Sequence, residues 1–257
     1  RIVWDLREEA APGAGGGGRG NRGAVEAVAP TDTSLAGLRE RRRAAAQNRD
    51  AGGGGEENFF GPASAWAVPG TYTVTLVVNG QRYAKPVVVQ NDPRIEMTAT
   101  QVTEQFEAAK GVEATQARIA RVIAGVDDLS RQLTAVQGAL RAAPGVTNGA
   151  SALTEIGGAL RDLRHFRDSV LARPLAGLGY RQYPRLREEA QTVSGMIARP
   201  QWPVTAGEKL RAGELGVETT DAQGRLDALT RERIGRINEL LKGSPHIITP
   251  VAGRIVP

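Results

Sequence analysis

Apolar residues recur along this chain with two different periods, and the switch between them divides it. Tyr72, Val74, Leu76 and Val78 alternate with Thr71, Thr73, Thr75 and Val77, the period-two pattern of a strand with one apolar face. Pro69-Gly70 precedes the run and Asn79-Gly80 follows it. Asn-Gly supplies the positive-φ pair of a two-residue type I′ turn, so a hairpin is predicted whose second arm continues through Gln90. Pro86 cannot donate to a ladder, which predicts an edge or a bulge in that arm. Asn91-Asp92-Pro93-Arg94 closes the sheet, because the residue before a proline is pushed away from helical backbone. Ile2, Trp4 and Leu6 alternate in the same way and predict a strand over residues 1–7. A chain that opens inside a strand pattern leads us to expect further polypeptide upstream of Arg1.

From Thr98 the period becomes helical. Thr98 and Gln101 fit a capping box, and Val102, Phe106, Ala109, Val112, Ile119, Ile123, Val126, Leu133, Val136 and Leu140 keep one face apolar. One helix over 99–142 is predicted, stopped by Pro144-Gly145 and Asn148-Gly149. A second is predicted over 151–171, with Leu153, Ile156, Leu160, Leu163 and Val170 inward. A third, over 184–198, has Pro184 in its first turn and Leu186, Ala190, Val193 and Ile197 inward. A second capping box, Thr205 with Glu208, opens a last helix that runs to Lys242 and ends at Gly243. Its expected core positions are Leu210, Val217, Leu226, Leu229, Ile234, Ile237 and Leu241. Four such helices predict an antiparallel four-helix bundle over 95–243, and the Pro-punctuated tail 244–257 is expected to lie extended against another surface.

Residues 8–57 carry neither period. Two four-glycine runs, Gly15–Gly18 and Gly52–Gly55, bracket Arg19, Arg22, Arg39 and Arg41–Arg43. Such a segment does not bury enough apolar surface to offset its own ordering entropy, so it is expected to be held by a partner; only Leu35–Gln47 has helix-forming composition. Across the 257 residues aromatics make up 4%, which suits aliphatic helix-on-helix packing. With no cysteine there is no disulfide framework, thiolate metal site or cysteine nucleophile. The formal charge of +5 is spread among 28 acidic and 33 basic residues, a mildly basic surface and not a nucleic-acid stripe. No run approaches the roughly 20 apolar residues of a membrane span.

Val3-Trp4-Asp5-Leu6-Arg7, Val68-Pro69-Gly70-Thr71-Tyr72-Thr73-Val74, Val87-Val88-Val89-Gln90-Asn91-Asp92-Pro93-Arg94 and the following helix with Gln101 and Gln105 resemble one known arrangement in their order. It is similar to the C-terminal region of large exported bacterial proteins whose N-terminal part is a sortilin-like, BNR-repeat β-propeller, often labelled glycosyl hydrolases. The resemblance implies an α+β fold, with a partial immunoglobulin-like β-sandwich at 1–94, interrupted at 8–57, ahead of the helical bundle. It also implies export, and as partners the propeller, another protein subunit or a further copy in a multi-chain assembly. The expected role is a non-catalytic interaction and assembly module. An alternative is an accessory domain of a hydrolase acting on glycan or peptide, with its active site on the propeller. No catalytic residue is carried over by the resemblance.

Candidate chemistry is sparse. Gly18-Arg19-Gly20-Asn21-Arg22-Gly23 matches the dinucleotide fingerprint in letters but lacks the buried strand before it and the helix after it. Read as an RNA-binding arm, the Arg-Gly text lacks interleaved aromatics, which favours a partner-contacting loop and no nucleic acid. His165, on a helix between Asp162 and Asp168, and His246, in the tail, complete no triad or metal site. Asp127-Asp128 and Glu188-Glu189 are expected on helix surfaces, not facing across a cleft as glycosidase carboxyls do. No cofactor or metal is expected. Trp4, Trp66 and Tyr72 are weighed as strand core against a sugar-stacking platform, with core favoured, and Trp202 is expected to plug the bundle end. The candidate interface comprises Trp4, Arg19, Arg22, Arg41, Arg42, Arg43, Phe59, Phe60 and Trp66.

Overall fold

A computed structural model describes residues 4, 6–8, 64–143, 145–174, 182–199, 201–245 and 248–249. Most of the predicted first strand, the Gly- and Arg-rich insertion after Glu8 and the end of the tail lie outside the described residues. The chain is α+β: a two-stranded antiparallel sheet followed by a helical bundle. Strand β1 (Gly70–Val78) and strand β2 (Gln81–Val89) pair without interruption from Gly70 opposite Val89 to Val78 opposite Gln81. Asn79 and Gly80 have φ of 48° and 81°, the positive pair that the turn requires. Pro86 sits opposite Thr73 within a continuous register, so the arm has an edge there and no bulge. Among the described residues the sheet stops at these two strands, and no second sheet packs on it as a sandwich would need.

Helix α1 (Ala99–Ala142) opens on the predicted box: Thr98 Oγ1 accepts from the Gln101 amide at 3.2 Å and the Thr98 amide donates to Gln101 Oε1 at 2.9 Å. Helix α2 (Gly149–Phe166) starts after Asn148, which takes the left-handed conformation (φ 57°) that asparagine tolerates, and widens into a π turn over Arg167–Leu171. Helix α3 spans Leu186–Ile197. Pro184 therefore precedes the helix instead of occupying its first turn, because Arg185, with extended backbone, is the N-cap. Helix α4 (Ala206–Leu229) passes through a second π turn, Thr230–Ile234, into α5 (Gly235–Leu240), and Gly243 at φ 83° ends the run.

These helices form three columns, not four. Arg167 reaches Asp127 from α2, while the α3 carbonyls of Ala190 and Ile197 receive bonds from Gln116 and Gln105. Thus α2 and α3 follow one another end to end along α1, both antiparallel to it. The last column runs parallel to α1, with Lys209 paired to Glu104, Arg118 bonded to the Gly216 carbonyl at 2.5 Å, and Gly125 facing Leu226. Glu155 and Asp162 of α2 hold Arg233 and Arg236 at the lower end.

The core runs the length of α1 through Val112, Ile119, Val122, Val126, Leu129, Leu133 and Leu140, joined by Ile156, Leu163, Phe166, Ile197, Leu226 and Ile237. In α4 the expected register fails at its first half. Leu210 and Val217 are 66% and 63% exposed, and Leu215, Thr219 and Ala222 are buried instead. The hydroxyl of Thr219 donates to the Leu215 carbonyl at 2.6 Å, which lets a threonine sit in an apolar seam. Tail residue Ile248 is buried against the chain's own bundle, its amide and carbonyl both bonded to the Asn238 side chain.

Candidate interaction surface

The hairpin's register sorts its side chains onto two faces. Tyr72, Val74, Leu76 and Val78 share one face with Val87, Lys85, Tyr83 and Gln81; Thr71, Thr73, Thr75 and Val77 share the other with Val88, Pro86, Ala84 and Arg82. Every residue of both strands except Tyr72 and Val89 is exposed. Val74 and Leu76, at the centre of the apolar face, are each 50% exposed. The alternation that predicted a half-buried strand thus gives an apolar row with nothing over it among the described residues.

The base of the hairpin is firmly tied. Arg7 pairs antiparallel with Trp66 as an isolated bridge, through Glu8 N–H to the Ala65 carbonyl at 3.0 Å and Ala67 N–H to the Leu6 carbonyl at 2.8 Å. The Arg7 guanidinium lies 3.9 Å from the centre of the Trp66 ring, and Trp66 Nε1 donates to the Ala198 carbonyl at the end of α3. Trp66 is a half-buried strut between strand segment and bundle. Trp4 is exposed, edge-on to Tyr72 at 5.5 Å between ring centres, with its indole N–H on the Arg7 carbonyl. Arg19, Arg22, Arg41, Arg42, Arg43, Phe59 and Phe60 lie outside the described residues. Of the expected interface, the structure therefore brings only Trp4 and Trp66 together, on either side of Arg7.

Beneath this joint Gln105 donates to the carbonyls of Ile197, Arg199 and Trp202, closing the C-terminal end of α3. The Trp202 ring itself is 67% exposed and plugs nothing; its carbonyl is what is anchored. Lys110 stands 2.8 Å from the buried Glu113 carboxylate and 3.4 Å from Glu8. Glu113, with Glu8 behind it, holds the Lys110 ammonium above its ordinary pKa.

The exit from the sheet is a side-chain clamp. The Arg94 side chain and its own amide all donate to the Asp92 carboxylate, at 2.5 to 3.2 Å. Those side-chain bonds first, and the amide second, lower the Asp92 pKa from 3.8 to about 2. A folded pKa below the unfolded one means the clamp contributes above about pH 3.8 and is lost as pH falls toward 2. Carboxyl NMR is expected to show Asp92 titrating near 2, and Arg94→Ala to return the midpoint to about 3.8. A native midpoint already at 3.8 would contradict the clamp.

Other chemistry is accounted for structurally. Among the described residues no group of three or more His, Cys, Asp or Glu could hold a metal ion. His165 is exposed, and His246 lies outside the described residues. Asp127 is engaged by Arg167. Glu188 departs from the surface expectation. It is buried at 5% and accepts from the amides of Arg173 and Arg185 and from the Arg187 guanidinium, so it pins the gap between α2 and α3. It stands three residues after the N-cap and accepts from that residue's amide, but the cap is an arginine, so no Ser, Thr, Asp or Asn marks a capping box in the sequence. A cleft of about 270 Å³ lies between α1 and α3, floored by Ile119, Ile123 and Ala190 and edged by Asp127 and Arg187. No described helix is long and apolar enough to cross a membrane. Comparison with protein-family models, with curated proteins and with solved structures gave no match.

Proposed function

We propose that this chain is an interaction and assembly module: a helical bundle that holds out a β-hairpin for completion by strands from elsewhere. The observation that carries this reading is the bare apolar row Val74, Leu76, Tyr83 and Val87 on a hairpin that is rigidly tied at its base. An isolated two-stranded hairpin is at best marginally stable in water, so one that no described residue covers on either face gains stability when a further strand or surface covers it. The reading agrees with the role implied for the C-terminal region of an exported β-propeller protein, in which the hairpin is part of an immunoglobulin-like sheet and the chain itself supplies no catalytic group.

A fluorescent probe of apolar surface, such as anilinonaphthalene sulfonate, tests this on the whole chain in dilute solution. Fluorescence enhancement is expected, and the double variant Val74→Lys/Leu76→Lys is expected to lose most of it with far-UV circular dichroism unchanged. Equal enhancement in the parent and the variant would overturn the reading.

A further inference from the structure

Among the described residues the two-stranded sheet has two unpaired edges, and they are unlike. A two-residue type I′ loop is closed by a hydrogen-bonded pair, here Val78 and Gln81, so pairs alternate from that point. The even-numbered residues of β1 then bond to β2, and Thr71, Thr73, Thr75 and Val77 turn their N–H and C=O groups outward. On β2 the outward positions are Arg82, Ala84, Pro86 and Val88. Pro86 offers no N–H there, and Arg82 and Lys85 place positive charge along the same edge. Proline and charge are the usual means by which proteins blunt a sheet edge. The nine residues of β1 contain neither.

We propose that the outer edge of β1 pairs with β1 of a second copy of this chain, antiparallel about a two-fold axis, to give a four-stranded sheet. This rests on the reading of the hairpin as the interaction surface and names its partner. The strand fits itself. Any antiparallel register that sets odd-numbered residues opposite odd-numbered ones places threonines and Val77 across from one another on one face. It also joins the two rows of Tyr72, Val74, Leu76 and Val78 on the other. Cross-strand β-branched pairs of this kind are stabilising, and an uncharged edge meets an uncharged edge. Two β2 edges would instead bring Arg82 and Lys85 against their own copies. Trp4 lies against Tyr72 at the base, so pairing falls in the turn-proximal half, Thr73–Val78. The contact is isologous, and both outer edges of the product are β2, so assembly closes at a dimer and does not grow into a fibre.

Sedimentation of the whole chain over a concentration series tests this. A monomer–dimer equilibrium is expected. Thr75→Pro removes one outward N–H per copy, two bonds per dimer, without touching the bonds to β2, and raises the dissociation constant about thirtyfold. Thr75→Lys, which leaves the backbone free to pair, weakens the dimer as well, whereas Ala84→Pro on the β2 edge leaves it intact. Removing the guards, with Arg82→Thr, Lys85→Thr and Pro86→Thr together, is expected to produce larger assemblies. A monomer at every concentration, or a dimer indifferent to both Thr75 variants, overturns the proposal. If that monomer still shows dye enhancement lost in Val74→Lys/Leu76→Lys, self-pairing fails while the hairpin remains an interaction surface for another polypeptide.

Discussion

Phe166→Ala is expected to cost the bundle about 3–5 kcal/mol, the range for deleting a fully buried aromatic side chain. Phe166 is the one aromatic side chain fully buried among the described residues, 2% exposed, with the Arg225 guanidinium 5.0 Å from its ring centre. It stands at the point where α2 gives way to the π turn, so the cavity would open beside Leu163 and Leu171. Collapse is hindered on one side by the charged guanidinium and on the other by the already irregular backbone. Urea unfolding followed by helical circular dichroism measures the effect, with Phe166→Leu expected to recover more than half of it. A loss below about 1 kcal/mol would mean that the ring is not in the packed core.

Glu188→Ala should cost about 2–4 kcal/mol, for a different reason. Its carboxylate gathers the Arg173 and Arg185 amides from the two sides of the gap between α2 and α3. Truncation leaves two part-buried N–H groups without their acceptor, each costing about 1–3 kcal/mol unless water reaches it. Glu188→Gln keeps one acceptor oxygen and is expected to fall between the parent and the alanine variant. Hydrogen exchange at Arg173 and Arg185 should accelerate in both variants, more in Glu188→Ala. Unchanged exchange there, with stability intact, would show that the gap is held by the buried Leu171 and Leu186 alone.

Where local chemistry decides, the sequence was a sufficient guide. The Thr98/Gln101 and Thr205/Glu208 boxes start α1 and α4 where expected, and Asn79-Gly80 closes the hairpin in the expected register. Where a partner element decides, it was not. The first half of α4 offers two tracks, Leu210 with Val217 and Leu215 with Thr219 and Ala222. Apolarity favours the first, but Arg118 of α1 grips Gly216 and Thr220 and turns the second inward. Glu188 read as a surface residue because its acceptor role depends on the distant Arg173. Two short helices read as two columns because periodicity carries no information on whether segments lie side by side or end to end. The candidate surface was half legible: alternation identifies the apolar face of β1, while its exposure depends on which strands are beside it.

The single uninterrupted run of α1 has a further consequence of scale. At 1.5 Å per residue its 44 residues make a rod of about 66 Å, stiffened along its whole length by the other two columns. The sheet is joined to one end of that rod, through Trp66 and Ala198, and the α1–α2 turn lies at the other. A partner on the hairpin, as proposed, would therefore be held at a set remove from anything attached near Asn148, so the proposed point of attachment would also fix a distance.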